Sequence, residues 1–200
     1  GPPTIVDPDF AARFEKQELG QYIGTCERSR DALFNDTMPS GASGPELLEI
    51  RIPAFIQSGN DASIALAEHM SGSEQAFADV MNQQAAKLGI TNTHFANATG
   101  LPAEGHLTTA RDLALLGIAV VRDHPDYYPI YAEKEFVWNN VKQQNRNRLL
   151  WIDPSVDGIK TGHTESAGYC LGTSAEREHM RLIAVVLGSK SERTRADESL

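Results

Sequence analysis

Apolar positions recur with a helical period through the middle of the chain and with a strand period towards its end. Ala62 to Met70 holds Ile64, Ala65, Leu66 and Ala67 in a compact apolar run of helical length and propensity, and Asp61 stands where an acidic residue favours a helix N-terminus. Ser73 can cap a second helix with Phe77, Val80, Met81 and Ala85 on one face, and Gly89 stops it. Thr108 or Thr109 caps a third helix through Leu113, Leu116 and Val120, which ends near His124-Pro125. Asn97 to Leu107 reads as loop, punctuated by Gly100, Pro102 and Gly105.

The last third reads as sheet. Tyr169 to Ala175 and Arg181 to Leu187 are strand-like runs joined by the polar turn Glu176-Arg177-Glu178-His179, and Gly158 to His163 is a further short strand beside them. Central helices followed by an antiparallel sheet predict an α/β chain of the α+β type, with segregated layers. The start is less regular. Phe10, Phe14 and Leu19 suggest one short helix and Thr25 to Phe34 another, after which Met38 to Pro45 has the composition of a linker or an exposed loop. The predicted organisation is therefore an N-terminal segment 1–46, linker-like over 38–45, and a domain over 47–200.

Composition narrows the function classes. Of 200 residues, 40% are hydrophobic and 22% charged, which suits a chain with a real core and excludes disorder along the whole length. The longest apolar run, Leu182 to Leu187, falls far short of a membrane span of about 20 residues. A net charge of −9 without an aromatic–basic stripe argues against nucleic acid as a partner. Cys26 and Cys170 make neither a disulfide framework nor a metal cluster; a bridge between the two stays open, and with it the redox compartment. Gly1-Pro2-Pro3 is of the kind a cleaved tag leaves and shows no basic or apolar leader region, as would be true of any processed exported chain.

Six histidines, His69, His94, His106, His124, His163 and His179, show no zinc spacing and no cysteine partner, so neither a metal nor a cofactor is expected. There is no phosphate loop, no Rossmann fingerprint and no G-x-S-x-G elbow. Two strings stand out instead. Ser58-Gly59-Asn60 precedes a helix, where a hydroxyl and a carboxamide offer a proton relay and a hand for a substrate amide. Lys160-Thr161-Gly162-His163 lies on a strand, where the lysine is a fixed cation and Gly162 lets a substrate backbone lie close. Taken singly, either string reads as a helix-capping turn or a strand end.

Together, in this order, they resemble the second and third motifs of the penicillin-recognising serine enzymes, whose set is S-x-x-K, S-x-N and K-T-G. The surroundings, Ile56 to Ala62, Leu88 to Phe95, Thr109-Ala110-Arg111-Asp112, Lys134-Glu135-Phe136, Asn145-Arg146-Asn147 and Val156 to Thr164, are similar to the D-alanyl-D-alanine carboxypeptidases, the low-molecular-mass penicillin-binding proteins. The similarity runs from about Leu47 to the end. It implies the β-lactamase/transpeptidase-like fold, an antiparallel sheet with a helical subdomain, and removal of the terminal D-alanine from peptidoglycan stem pentapeptides through an acyl-enzyme. It also implies a cell-envelope (periplasmic) location and inhibition by β-lactams where a nucleophile is present. Neither the small C-terminal β-domain of the family nor its amphipathic membrane helix is read in these 200 residues. A class A β-lactamase is a weaker match, because histidine follows Gly162 and no deacylation glutamate motif is evident.

By resemblance, Lys160 is the second cation that keeps the base lysine neutral, Ser58 relays a proton to the leaving amine, and Asn60 holds the acyl-chain amide. Thr161 binds the terminal carboxylate with Arg195, whose alternative is a solvated helix charge. His163 supplies a backbone N–H to the oxyanion hole, and Arg146 buttresses the cleft or makes a structural salt bridge. The S-x-x-K motif is missing: the residues three before Lys16, Lys87, Lys134, Lys142, Lys160 and Lys190 are Arg13, Gln84, Tyr131, Asn139, Asp157 and Leu187. Ser174-Ala175-Glu176-Arg177 cannot replace it, because arginine does not deprotonate. The nucleophile is thus unassigned. The chain alone is expected to be a very poor carboxypeptidase, or a cleft that binds muropeptides or penicillins without cleaving them. An altered N-terminal part, natural degeneration, or a second chain supplying the missing helix would each account for the gap.

Overall fold

The computed structural model describes Ile56, residues 58–138 and residues 140–200. The expected helices near 10–19 and 25–34, the linker 38–45 and Cys26 lie outside the described residues. Three helices come first: α1 (Asn60–Ser71), α2 (Glu74–Lys87) and α3 (Ala110–Asp123). The second and third start where their sequence predicts, and the first starts two residues before the expected Ala62, with Gly59 as its N-cap. The Ser73 hydroxyl accepts from Ala76 N at 3.1 Å, and the Thr109 hydroxyl accepts from Asp112 N at 3.1 Å, so each satisfies a first-turn donor. Gly72 and Gly89 end α1 and α2 at positive φ, 78° and 71°.

The loop 89–109 has few elements and many side-chain ties. Asn82 replaces a strand partner for Phe95, giving Nδ2 to its carbonyl and taking its N–H on Oδ1, both at 2.8 Å. Buried Asp112 accepts from Asn92 N at 2.8 Å and from the Thr93 hydroxyl at 2.7 Å, which fastens the loop to the start of α3. These bonds supplement the one antiparallel backbone bridge among the loop's described residues, His94 with Leu107.

The sheet has the order β3 (Val156–Thr164), β4 (Gly168–Arg177), β5 (Met180–Ser189), antiparallel throughout. The β4–β5 turn is tighter than its four polar residues suggest. Arg177 pairs with Met180, leaving Glu178 and His179 as a two-residue turn with φ of 50° and 64°, the left-handed pair that matches strand twist. Helix α3 lies on β4 and β5, and Gly117 lets it come close: a Cβ there would stand 2.9 Å from Ile159 Cδ1.

The expected pattern omits five small elements. They are a 3-10 turn (Tyr128–Ala132), the hairpin β1 (Glu135–Trp138) and β2 (Val141–Gln144), α4 (Leu149–Ile152) and α5 (Glu192–Asp197). Strand β2 is mostly exposed, so it shows no apolar alternation to read. Leu149, Leu150, Val156, Leu171 and Ala196 form a core cluster between α4, the sheet and α5. Full burial of Leu149 or Leu171 contributes roughly 2 kcal/mol each. That cluster fixes β3 and α5 relative to each other. Among the described residues, no helix is long and apolar enough to cross a membrane.

Candidate functional site

Ser58 precedes α1 in the left-handed backbone region, φ 57°, which is strained for a residue with a Cβ. Gly59 takes the N-cap position and has no side chain to cap with. Lys160 projects from the middle of β3. Its Nζ donates to Ser58 Oγ, and also to its neighbour's carbonyl, Thr161 O, at 2.9 Å. Two strings 102 residues apart in sequence therefore meet.

The Lys160 ammonium sits in an unfavourable field. Burial first, then the guanidinium charges of Arg146 and Arg195, pull its pKa from 10.5 down to about 8. At neutral pH about a tenth of the amine is uncharged.

Arg195 rules out one of the two alternatives left open by its sequence context. Only 3% exposed, it is no solvated helix charge. Its Nη1 donates to Gly162 O at 3.2 Å and to Cys170 O at 3.4 Å, its Nη2 lies 3.9 Å from Glu192, and its guanidinium stands 5.6 Å over the Tyr169 ring. The His163 ring stacks on the same tyrosine at 4.0 Å. Tyr169 is thus held between two residues that the sequence singles out. Antiparallel pairing of His163 with Tyr169 is the signal that would have found it.

Thr161 is buried at 8% exposure, Gly162 and His163 are exposed on the same strand, and Asn60 is exposed on the first turn of α1. Arg146 is exposed and acts on Lys160 through its charge; among the described residues it makes no ion pair within 4 Å, so the structural salt bridge considered for it is not found there. Cys170 carries a free thiol. Among the described residues no His, Cys, Asp and Glu group could hold a metal ion.

Behind the lysine lies a polar support that the motifs do not announce. The carbonyl of Gly158 accepts from Asn147 Nδ2 at 3.1 Å and from the Thr173 hydroxyl at 2.9 Å, both side chains buried. Asp157 accepts from the Tyr128 hydroxyl at 2.9 Å and from Arg181 at 2.8 Å, and Arg181 also reaches Ser174 and Glu176. Burial, foremost, pushes the Tyr128 hydroxyl well above the usual tyrosine range, so it stays a donor. The backbone leading to Lys160 is therefore pinned on both sides.

The D-alanyl-D-alanine carboxypeptidase family matches residues 43–191 of this chain. The D-alanyl-D-alanine carboxypeptidase DacC of Escherichia coli (strain K12) is 55% identical over 146 residues, which are 72% of this chain and 36% of the relative. DacA of the same strain is 50% identical, again over 72% of this chain and 36% of the relative. The chain thus spans about a third of the length of these curated relatives. Among solved structures, penicillin binding protein 5 from Haemophilus influenzae superimposes with a TM-score of 0.74 at 44% identity, covering 76% of this chain and 45% of that one. The D-alanyl-D-alanine carboxypeptidase DacD from Francisella tularensis gives 0.77 at 32% identity, covering 90% and 60%.

Proposed function

The chain belongs to the D-alanyl-D-alanine carboxypeptidase family and has the penicillin-binding protein fold, and on that premise we propose that it carries the substrate-gripping side of a serine-type carboxypeptidase cleft for peptidoglycan stem peptides. The contact of Lys160 Nζ with Ser58 Oγ supports this reading before any other observation. It sets the Ser58 hydroxyl against an ammonium-bearing strand edge, with Asn60 two residues on, at the first position of α1. In the whole protein Lys160 is the cation that keeps a catalytic base neutral, Ser58 the relay to the leaving amine, and Asn60 the partner of the acyl-chain amide.

Thr161 and Arg195 take the D-alanine carboxylate. Arg195 spends two donors on backbone carbonyls and keeps its charge within a dry setting, where attraction for a carboxylate is strongest. His163 gives its N–H to the oxyanion, and Arg146 adds positive potential at the rim. The place of work is the cell envelope, and β-lactams are inhibitors wherever the S-x-x-K serine is present.

A peptide ending in D-Ala-D-Ala should bind the 200-residue chain and shift the amide NMR signals of Ser58 to Asn60 and Lys160 to His163. Arg195→Lys, which keeps the charge and loses the fork, should weaken binding about tenfold. Shifts confined to other elements would remove the cleft from consideration.

The absent S-x-x-K motif favours a binding-only role for these 200 residues. Fluorescent penicillin should therefore leave no stoichiometric, denaturation-resistant adduct on this chain. Rapid covalent labelling, or D-alanine release at ordinary enzyme rates, would contradict that expectation.

A further inference from the structure

We propose that Ser58 and Lys160 form a nucleophile–base pair of their own, able to take an acyl group from an activated ester onto Ser58 Oγ. The hydroxyl and the amine are already in hydrogen-bond contact, the first requirement of an activated serine. The amine is held at about pKa 8, so a working fraction is free to accept a proton near neutrality. Ser58 is half-buried and open to a small donor. It also immediately precedes the 12-residue helix α1, whose N-cap Gly59 offers no side chain.

In the step itself, Ser58 Oγ bonds to the acyl carbon while its proton passes to Lys160 Nζ. The carbon–oxygen bond to the leaving group breaks, and the phenolate departs with the electron pair. The Lys160 ammonium then gives its proton to solvent, leaving an ester on Ser58 that water can hydrolyse to the free acid and the serine. An aryl ester suits this chemistry because its phenolate leaves without being protonated. An amide or β-lactam nitrogen must be protonated, and a serine that is itself attacking cannot also relay that proton. Nothing in this chemistry requires the peptidase role proposed above, and it is compatible with inertness toward penicillin.

The test is incubation of the 200-residue chain with p-nitrophenyl acetate on both sides of about pH 8, followed by tandem mass spectrometry and hydroxylamine treatment. The expected result is a hydroxylamine-labile acetyl ester on Ser58 whose rate of formation rises through that pH. Ser58→Ala should abolish the ester at this position, and Lys160→Met should slow its formation by about a hundredfold, the usual range for losing a nucleophile's base. Localisation on the unaltered chain decides the matter even if a variant fails to fold. Acetyl found only as hydroxylamine-stable amides on lysines, an ester elsewhere, or no adduct would overturn the proposal, while D-Ala-D-Ala peptide binding tests the cleft separately.

Discussion

Raising the pH from neutrality to about 10 should make this chain harder to unfold, and Lys160→Met should abolish that gain. The folded pKa of Lys160, about 8, lies below its ordinary 10.5. Between those values the unfolded chain binds a proton that the folded chain has released, so stability rises with pH across this window. Below it both states are protonated and the buried ammonium costs its full penalty. The two and a half units between the values correspond to about 3 kcal/mol. Methionine has no charge to desolvate, so Lys160→Met should be about 1–2 kcal/mol more stable at neutral pH, the gain trimmed because Ser58 Oγ and Thr161 O lose a donor. Urea unfolding of both proteins across the pH range makes the comparison, and the difference between them cancels the other titrating groups. Parallel curves for the two proteins would mean that Lys160 is not held below its ordinary pKa.

A residue kept against a stability cost of this size points to use rather than packing. The same logic explains what could be read from the letters. Ser58 and Lys160 sit in two short strings that the sequence singles out and the fold brings into contact, and the helices and strands that carry them have strong periodicity signals, so the scaffold and this meeting of the strings were legible. Tyr169, Asn147, Tyr128 and Arg181 were not. Their roles come largely from contacts between elements distant in sequence, such as Tyr128 with Asp157 and Arg181 with Asp157, which no local pattern encodes. The β1–β2 hairpin was missed for a different reason, since exposed strands such as β2 have no buried face to alternate against. Arg195 stood between two readings because a charged residue in a short helix gives no sign that Tyr169 and the sheet close over it.

Gly158 tests whether that unlettered support positions the lysine. A Cβ at position 158 would stand 2.5 Å from the Tyr128 hydroxyl oxygen, 3.1 Å from Tyr128 Cζ and 3.4 Å from Tyr131 Cβ. Tyr128 cannot swing away cheaply: it is 7% exposed, bonded to Asp157, stacked near Tyr131 and covered by the Arg181 guanidinium at 5.4 Å. Moving the strand instead would break the bonds from Asn147 and Thr173 to the Gly158 carbonyl. Gly158→Ala is therefore expected to cost about 3 kcal/mol and, by displacing β3, to return the Lys160 titration towards its ordinary range. Tyr128→Phe deletes the atom nearest the new Cβ, so the double variant should recover about 1 kcal/mol relative to the sum of the single changes. Gly117→Ala is the control. Its Cβ would meet Ile159 Cδ1 at 2.9 Å, the far end of a flexible side chain, and the helix gains propensity, so its net cost should stay within about 1 kcal/mol. Denaturant unfolding gives the energies and an NMR titration of the Lys160 side chain gives the displacement. Equal losses for Gly158→Ala and Gly117→Ala, or an unmoved Lys160 titration in a folded Gly158→Ala protein, would show that the Gly158 contacts do not set the position of the ammonium.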